Sequence, residues 1–123
     1  MLDWGGTSER GFVAVSRTFL RSYRELGLTL EEAMLVILIL EFSWGSSLPY
    51  PSVSTLANRT GKTPKTVRRY LRALRSKGFL RTKPRKGRSN AYDFGPLFSR
   101  LAELDRTVRL RVVGGGRKGR GSR

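Results

Sequence analysis

The most constraining feature of this chain is the order of capping and turn residues in 52–78, where helix-starting residues and glycines alternate at short intervals. Ser52 is a favourable N-cap and Gly61 a turn residue; Thr63 and Pro64 then suit the start of a second helix, and Gly78 its end. Apolar residues recur between these markers at helical spacing, at Val53, Leu56, Ala57, Val67, Tyr70, Leu71 and Leu74. The pattern predicts two short helices, 52–60 and 64–77, joined by a tight turn.

This spacing is typical of a helix-turn-helix, a unit too small to be stable without a third helix. Thr29 and Glu32 form a capping-box pattern that predicts such a helix, running to Phe42 or Trp44. Residues 33–40 are apolar on every face, so this helix needs cover on more than one side. Either it is a core helix covered by the preceding segment, or one of its faces is a dimer seam; the covering residues would be Phe19, Leu20 and Tyr23.

The remaining segments complete a mainly α fold with a small β-hairpin wing. Residues 79–83 and 90–94 are predicted strands around a turn at 84–89, and 96–104 is a helix candidate with Leu97, Leu101 and Leu104 on one face. We therefore divide the chain into four parts: a lead-in with a short helix (1–28), a winged helix-turn-helix domain (29–94), a C-terminal helix (95–105) and a basic, disordered tail (106–123).

Charge is distributed unevenly along the chain. No acidic residue lies between Glu41 and Asp93, whereas 13 of the 25 Lys and Arg residues do, and residues 106–123 add seven more positive charges. A basic helix face is usually just solvated, but such a face normally interleaves Asp or Glu that form i, i+4 pairs. Their absence favours contact with a polyanion, and hence with nucleic acid.

Composition also excludes several functions. The chain has no Cys and no His, which removes disulfides, zinc-finger ligation and His-based triads, and a hydroxyl such as Ser54 or Thr55 has no base to activate it. We expect no enzyme activity, no cofactor or metal and no small-molecule substrate. The longest apolar run, 33–40, is far short of the roughly 20 residues of a membrane span, so we expect a cytoplasmic protein associated with the nucleoid.

The sequence resembles the winged helix-turn-helix domains of bacterial, plasmid and phage replication-initiator-type proteins and of many small transcriptional regulators. The resemblance covers about residues 29–94 and is carried by PSVSTLA (51–57), GKTPKTVRRYL (61–71), LRSKGFL (74–80) and the wing RKGRSNAY (85–92). It implies binding of double-stranded DNA. The process would be transcription regulation or DNA replication, since this superfamily uses one scaffold for several processes. It also implies that Lys83, Arg85, Lys86 and Arg88 of the wing lie along the adjacent minor groove or backbone.

Helical geometry places the other candidate contacts. Opposite the buried stripe of the second helix, its N-terminal half presents Lys65, Thr66 and Arg69, the best base readers in a major-groove docking. The candidate phosphate contacts on the same helix are Arg68, Arg72 and Arg75. The hydroxyl residues that open the two helices can also hold a phosphate; these are Ser52, Ser54, Thr55 and Thr63.

Three questions stay open from the sequence alone. Trp44, Tyr50 and Tyr92 either pack in the core or stack on bases. The chain can be a homodimer whose two recognition helices lie about 34 Å apart on DNA. It can also belong to a different class: an RNA-associated or structural basic protein that binds mainly through its tail, or a protein-interaction winged helix within a replication or partition assembly.

Overall fold

The structure, a computed structural model, describes residues 4–115, with side chains through residue 107. A 3₁₀ turn at Thr7–Arg10 precedes the first helix. The elements that follow are α1 (Arg17–Ser22), α2 (Leu30–Leu40), α3 (Val53–Thr60), α4 (Pro64–Ser76), β1 (Arg81–Arg85), β2 (Arg88–Asp93) and α5 (Gly95–Gly115). Three helices, an antiparallel hairpin and flanking helices are the mainly α architecture with a β wing that the sequence predicts.

The predicted capping box starts α2. The Glu32 amide donates to Thr29 Oγ1 at 3.0 Å, and the Thr29 amide donates to Glu32 Oε1 at 3.0 Å, so both residues satisfy helix-end donors. The helix ends at Leu40 rather than at Phe42 or Trp44, and its predicted end was wrong. The amides of Phe42 and Ser43 bond to carbonyls three residues back, which tightens the last turn. The α-helix therefore ends with its apolar run, at Leu40.

Caps also define α3 and α4. The hydroxyls of Ser52 and Thr63 accept from backbone amides three residues ahead, at 3.0 and 3.1 Å. Gly61 ends α3 at φ 72°, a left-handed conformation that costs glycine little, and its amide bonds to the Ala57 carbonyl at 2.9 Å. The two helices thus begin at the N-caps, and turn at the glycine, that the sequence predicts.

The core lies between α2, α3, α4 and the start of α5, and α2 is at its centre. Fully buried side chains include Leu35, Ile39, Leu56, Val67, Leu74, Phe94 and Leu97. The structure thus favours a core helix for α2. Of its predicted cover, Phe19 is buried and Tyr23 packs on the core, but Leu20 is 53% exposed, so that part was wrong. Leu20 lies on the outer face of α1, whose buried residue is Phe19.

The hairpin is displaced from its predicted position. In β1 and β2, Arg81 pairs with Asp93 and Lys83 with Ala91, and the register then shifts so that Arg85 pairs with Arg88. The shift brackets Pro84, which has no amide to give to a ladder. The predicted strand start at Phe79 was wrong because Phe79 and Leu80 are core residues and the Phe79 amide bonds to the Leu74 carbonyl, closing α4.

The last helix, α5, is longer than predicted. It runs to Gly115, past the predicted end at Leu104, so the prediction of disorder from Arg106 was wrong for 106–115. Thr18 Oγ1 donates to Asp105 Oδ1 at 3.2 Å, which holds α5 against α1 at this point. Extending an existing helix requires no new nucleus, and that favours continuation. The rest of the predicted tail, 116–123, lies outside the described residues. Among residues 4–115, no helix is long and apolar enough to cross a membrane.

Candidate nucleic-acid interface

One face of α4 is strongly cationic. Val67, Leu71 and Leu74 of this helix are buried, and the opposite side exposes Lys65, Arg68, Arg69, Arg72 and Arg75. Within the part of the chain that the structure describes, none of these five cations forms an ion pair with Asp or Glu. The cations that the sequence predicts as base readers and phosphate contacts of α4 therefore share one open, unneutralised surface, whereas Thr66, the third predicted base reader, is half-buried.

The ion pairs of the described residues lie elsewhere, and every one draws its acid from outside the acid-free segment. Arg59 pairs with Glu41, Arg81 with Asp93 at 3.7 Å, and Arg100 with Glu103 at 3.2 Å. In the fourth pair Lys77 Nζ lies 2.5 Å from Glu32 Oε1. The carboxylates of these four pairs thus leave the outer face of α4 unneutralised.

The hydroxyl residues that open α3 and α4 are engaged in capping. Ser52 Oγ donates to Thr55 Oγ1 at 3.0 Å while it accepts from the Thr55 amide, and Thr63 Oγ1 donates to Thr66 Oγ1 at 3.1 Å. Ser54 is exposed beside them. These residues are brought to two neighbouring helix N-termini, where amide groups favour an anion. Their contact with phosphate stays a prediction.

The wing residues fall into two groups. Lys83, Lys86 and Arg88 are exposed, whereas Arg85 is half-buried. The Arg85 guanidinium lies 4.0 Å from the centre of the Tyr50 ring, and its Nη1 is 3.4 Å from the Ser89 carbonyl. Such a cation–π contact holds Arg85 in a fixed position. Sequence reasoning missed Tyr50 as its partner, and no local pattern connects residues so far apart.

A second arginine joins α4 to the wing. Arg75 Nη1 lies 3.1 Å from Thr82 Oγ1 of β1 and donates to it. Burial raises the pKa of the nearby Tyr92 phenol, an effect that the positive charge of Arg75 opposes. Tyr92 therefore stays neutral well above pH 7. Arg75, predicted as a phosphate contact, therefore also links α4 to the hairpin.

Together, the supporting α2, the capped pair α3 and α4 and the hairpin that follows define a winged helix-turn-helix protein. Residues 26–80 match the family described as a helix-turn-helix domain. The fold is similar to the crystal structure of the N-terminal domain of DnaD protein from Geobacillus kaustophilus HTA426, with a TM-score of 0.67 and 23% identity. That match covers 91% of this chain and 93% of the other. No curated protein sequence matches the chain.

Proposed function

We propose that this chain binds double-stranded DNA sequence-specifically and acts as a transcriptional regulator or a replication-initiator-like protein, with no catalysis of its own. The observation that carries the proposal is the outer face of α4, where exposed cations have no acidic partner among the described residues. Such a face repels itself, and a polyanion relieves that repulsion while its counterions are released.

In this proposal α4 lies in the major groove, whose width of about 12 Å admits an α-helix. Lys65, Thr66 and Arg69 lie in its N-terminal half and would contact base edges. Arg carries a fork of donors that matches the two acceptors of guanine, so Arg69 is the strongest candidate for sequence discrimination. Arg68 and Arg72 would contact phosphates at the groove edges.

The wing would contact the DNA backbone beside the major groove. Lys83, Lys86 and Arg88 are exposed on the hairpin, and Arg85 is held against Tyr50 with its charge unneutralised by any described carboxylate. A fixed guanidinium loses less side-chain entropy on contact with phosphate than a free one. The wing should therefore add affinity with little dependence on sequence.

Selection of bound duplexes from a random library, followed by affinity measurements on the enriched site, tests the proposal. We expect an enriched motif and a preference for duplex DNA over duplex RNA and single strands on that site. Tighter binding to duplex RNA would favour the RNA-associated alternative. A folded protein that binds no nucleic acid would favour the protein-interaction alternative instead.

We also propose that the chain binds its site as a homodimer. Val13 and Phe98 are 38% and 49% exposed and line one apolar cleft that a second copy could cover. Leu97 and Leu101, on the apolar face of α5, pack in or against the core of the single chain. Phe98→Glu is therefore a cleaner probe than a charge at Leu101. A palindromic motif and loss of the dimer in F98E by sedimentation would support this proposal.

A further inference from the structure

Beside the wing, the structure contains an aromatic cleft whose most exposed ring, Trp44, has no part in the proposed duplex contacts. Phe42, Trp44, Tyr50 and Pro51 line a space of about 140 Å³. Trp44 is 78% and Tyr50 52% exposed, so neither ring is a core residue. Tyr92, by contrast, is buried. Of Trp44, Tyr50 and Tyr92, which the sequence left open between core packing and base stacking, Tyr92 alone packs in the core.

The backbone around the cleft is held in place. The Ser47 amide bonds to the Trp44 carbonyl at 3.1 Å, forming a tight turn, and the Tyr92 amide of β2 bonds to the Pro49 carbonyl at 2.9 Å. The first bond fixes the Trp44 end of the loop, and the second attaches the loop to the wing. The exposed rings therefore project from a fixed turn, and their exposure does not come from a loose terminus.

Two guanidinium groups border the cleft. Arg85 lies 4.0 Å from the Tyr50 ring centre, and Arg59 lies 4.9 Å from the Phe42 ring centre. Arg59 is also paired with Glu41, but Arg85 has no acidic partner among the described side chains. Exposed aromatic faces next to arginines are the chemistry with which proteins bind single strands: rings stack on bases and cations contact phosphates.

We propose that this cleft binds an unpaired base of single-stranded DNA, with the ring of Trp44 as its main stacking surface. The base would lie against Trp44 and Tyr50, and Arg85 would contact the backbone of the same strand. Pro51 is followed directly by Ser52, the N-cap of α3, so this helix begins beside the cleft. The site goes beyond duplex recognition and adds a position for a melted or unpaired strand next to it.

Charge favours a nucleic acid over a peptide as the occupant. The cleft lies in the segment between Glu41 and Asp93 that contains no acid, and one of its two flanking cations is unneutralised. An apolar peptide or a second copy of this basic chain would leave that charge unrelieved, whereas a strand of DNA supplies one phosphate per base. The same argument predicts binding with little preference among bases.

Trp44 provides a direct readout because the chain has two tryptophans. In a Trp4→Phe background Trp44 is the remaining tryptophan, and we expect single-stranded oligo(dT) to quench its emission. Trp44→Ala should weaken oligo(dT) binding roughly 5- to 150-fold, and Trp44→Phe should restore much of the loss. Trp4→Ala is the matched control: Trp4 is 80% exposed but outside the cleft, so its loss should leave binding unchanged.

Affinity for duplex DNA is measured on the same variants, so that failure of this site is distinguishable from failure of the duplex-binding proposal. W44A should retain its duplex affinity and its melting temperature. Oligo(dT) affinity that is equal in wild type and W44A, or Trp44 emission that changes with protein concentration alone, would overturn the proposal. The second result would assign the cleft to self-association.

Discussion

The cations on the outer face of α4 and four cations elsewhere in the molecule are the same residue types in two different situations. Arg59, Lys77, Arg81 and Arg100 each have a carboxylate partner, and those four carboxylates come from outside the acid-free segment. Lys65, Arg68, Arg69 and Arg72 have none among the described residues. A basic side chain therefore stabilises the fold where a carboxylate reaches it and is available to an external anion where none does.

Lys77 is the extreme case of the first group, and its loss should have the largest effect on stability. Its Nζ contacts Glu32 Oε1 at 2.5 Å and the Gly27 carbonyl at 2.7 Å, and the Glu32 side chain is only 7% exposed. Lys77→Ala leaves that carboxylate buried without its cation. Because Lys77 itself is 31% exposed, we expect the free energy of unfolding to fall by about 2–3 kcal/mol, below the full cost of breaking a buried pair. Urea unfolding measures it.

Arg100→Ala is the matched control for Lys77. The Arg100–Glu103 pair is exposed on α5 and should contribute about 0–1 kcal/mol. Equal losses of stability in both variants would contradict the distinction between structural and surface pairs.

Arg69 represents the second group. Arg69→Ala should weaken binding to the selected duplex by about 1–3 kcal/mol and to random duplex much less, because a base contact discriminates among sequences. Melting temperature should barely change, since the side chain is exposed and has no acidic partner in the described structure. Titration of both duplexes by fluorescence anisotropy provides the comparison. Equal weakening on both would show that Arg69 contacts phosphate.

A variant at Arg85 tests whether the wing, like the outer face of α4, contacts DNA through cations that have no carboxylate partner. Arg85→Ala should weaken selected and random duplexes about equally and lower the slope of log affinity against log salt by roughly 0.9, the value for one phosphate contact. Tyr50→Leu removes the ring beneath Arg85 but leaves its charge. That variant should lose affinity with the slope retained. A slope unchanged in R85A would exclude the phosphate contact.

The smallest effect on the folded body is expected from the C-terminus. Deleting residues 114–123 removes Arg117, Lys118, Arg120 and Arg123 but no described core residue. Thermal stability should stay nearly constant while the salt slope falls by roughly 0.9 for each phosphate that the shortened chain no longer neutralises. Affinities at three salt concentrations measure the slope. An unaltered slope would show that this segment does not touch DNA.

The sequence predicted best those features that depend on residues three or four positions apart. The caps at Thr29, Ser52 and Thr63 and the turn at Gly61 formed as expected because hydroxyl–amide bonds and glycine conformation are local. The end of α5 was missed because helix continuation depends on an element already formed.

Contacts between distant segments were also missed. Nothing local signals that Tyr50 will lie against Arg85 or that Lys77 will reach Gly27, because both pairs meet only after α2, α4 and the wing have packed. The exposed positions on α4 were predictable from helical period alone. The role of Tyr50 beside the wing required the fold.

The hydrogen bond from the Tyr92 amide to the Pro49 carbonyl makes the opening of the wing measurable by hydrogen exchange. An isolated two-stranded hairpin is marginally stable in water, so this bond is part of what keeps the hairpin docked. Its amide proton can exchange with solvent only when strand and loop separate. The exchange lifetime of this one proton therefore reports how often the wing leaves the body, and a bound duplex that presses the wing inward should lengthen it.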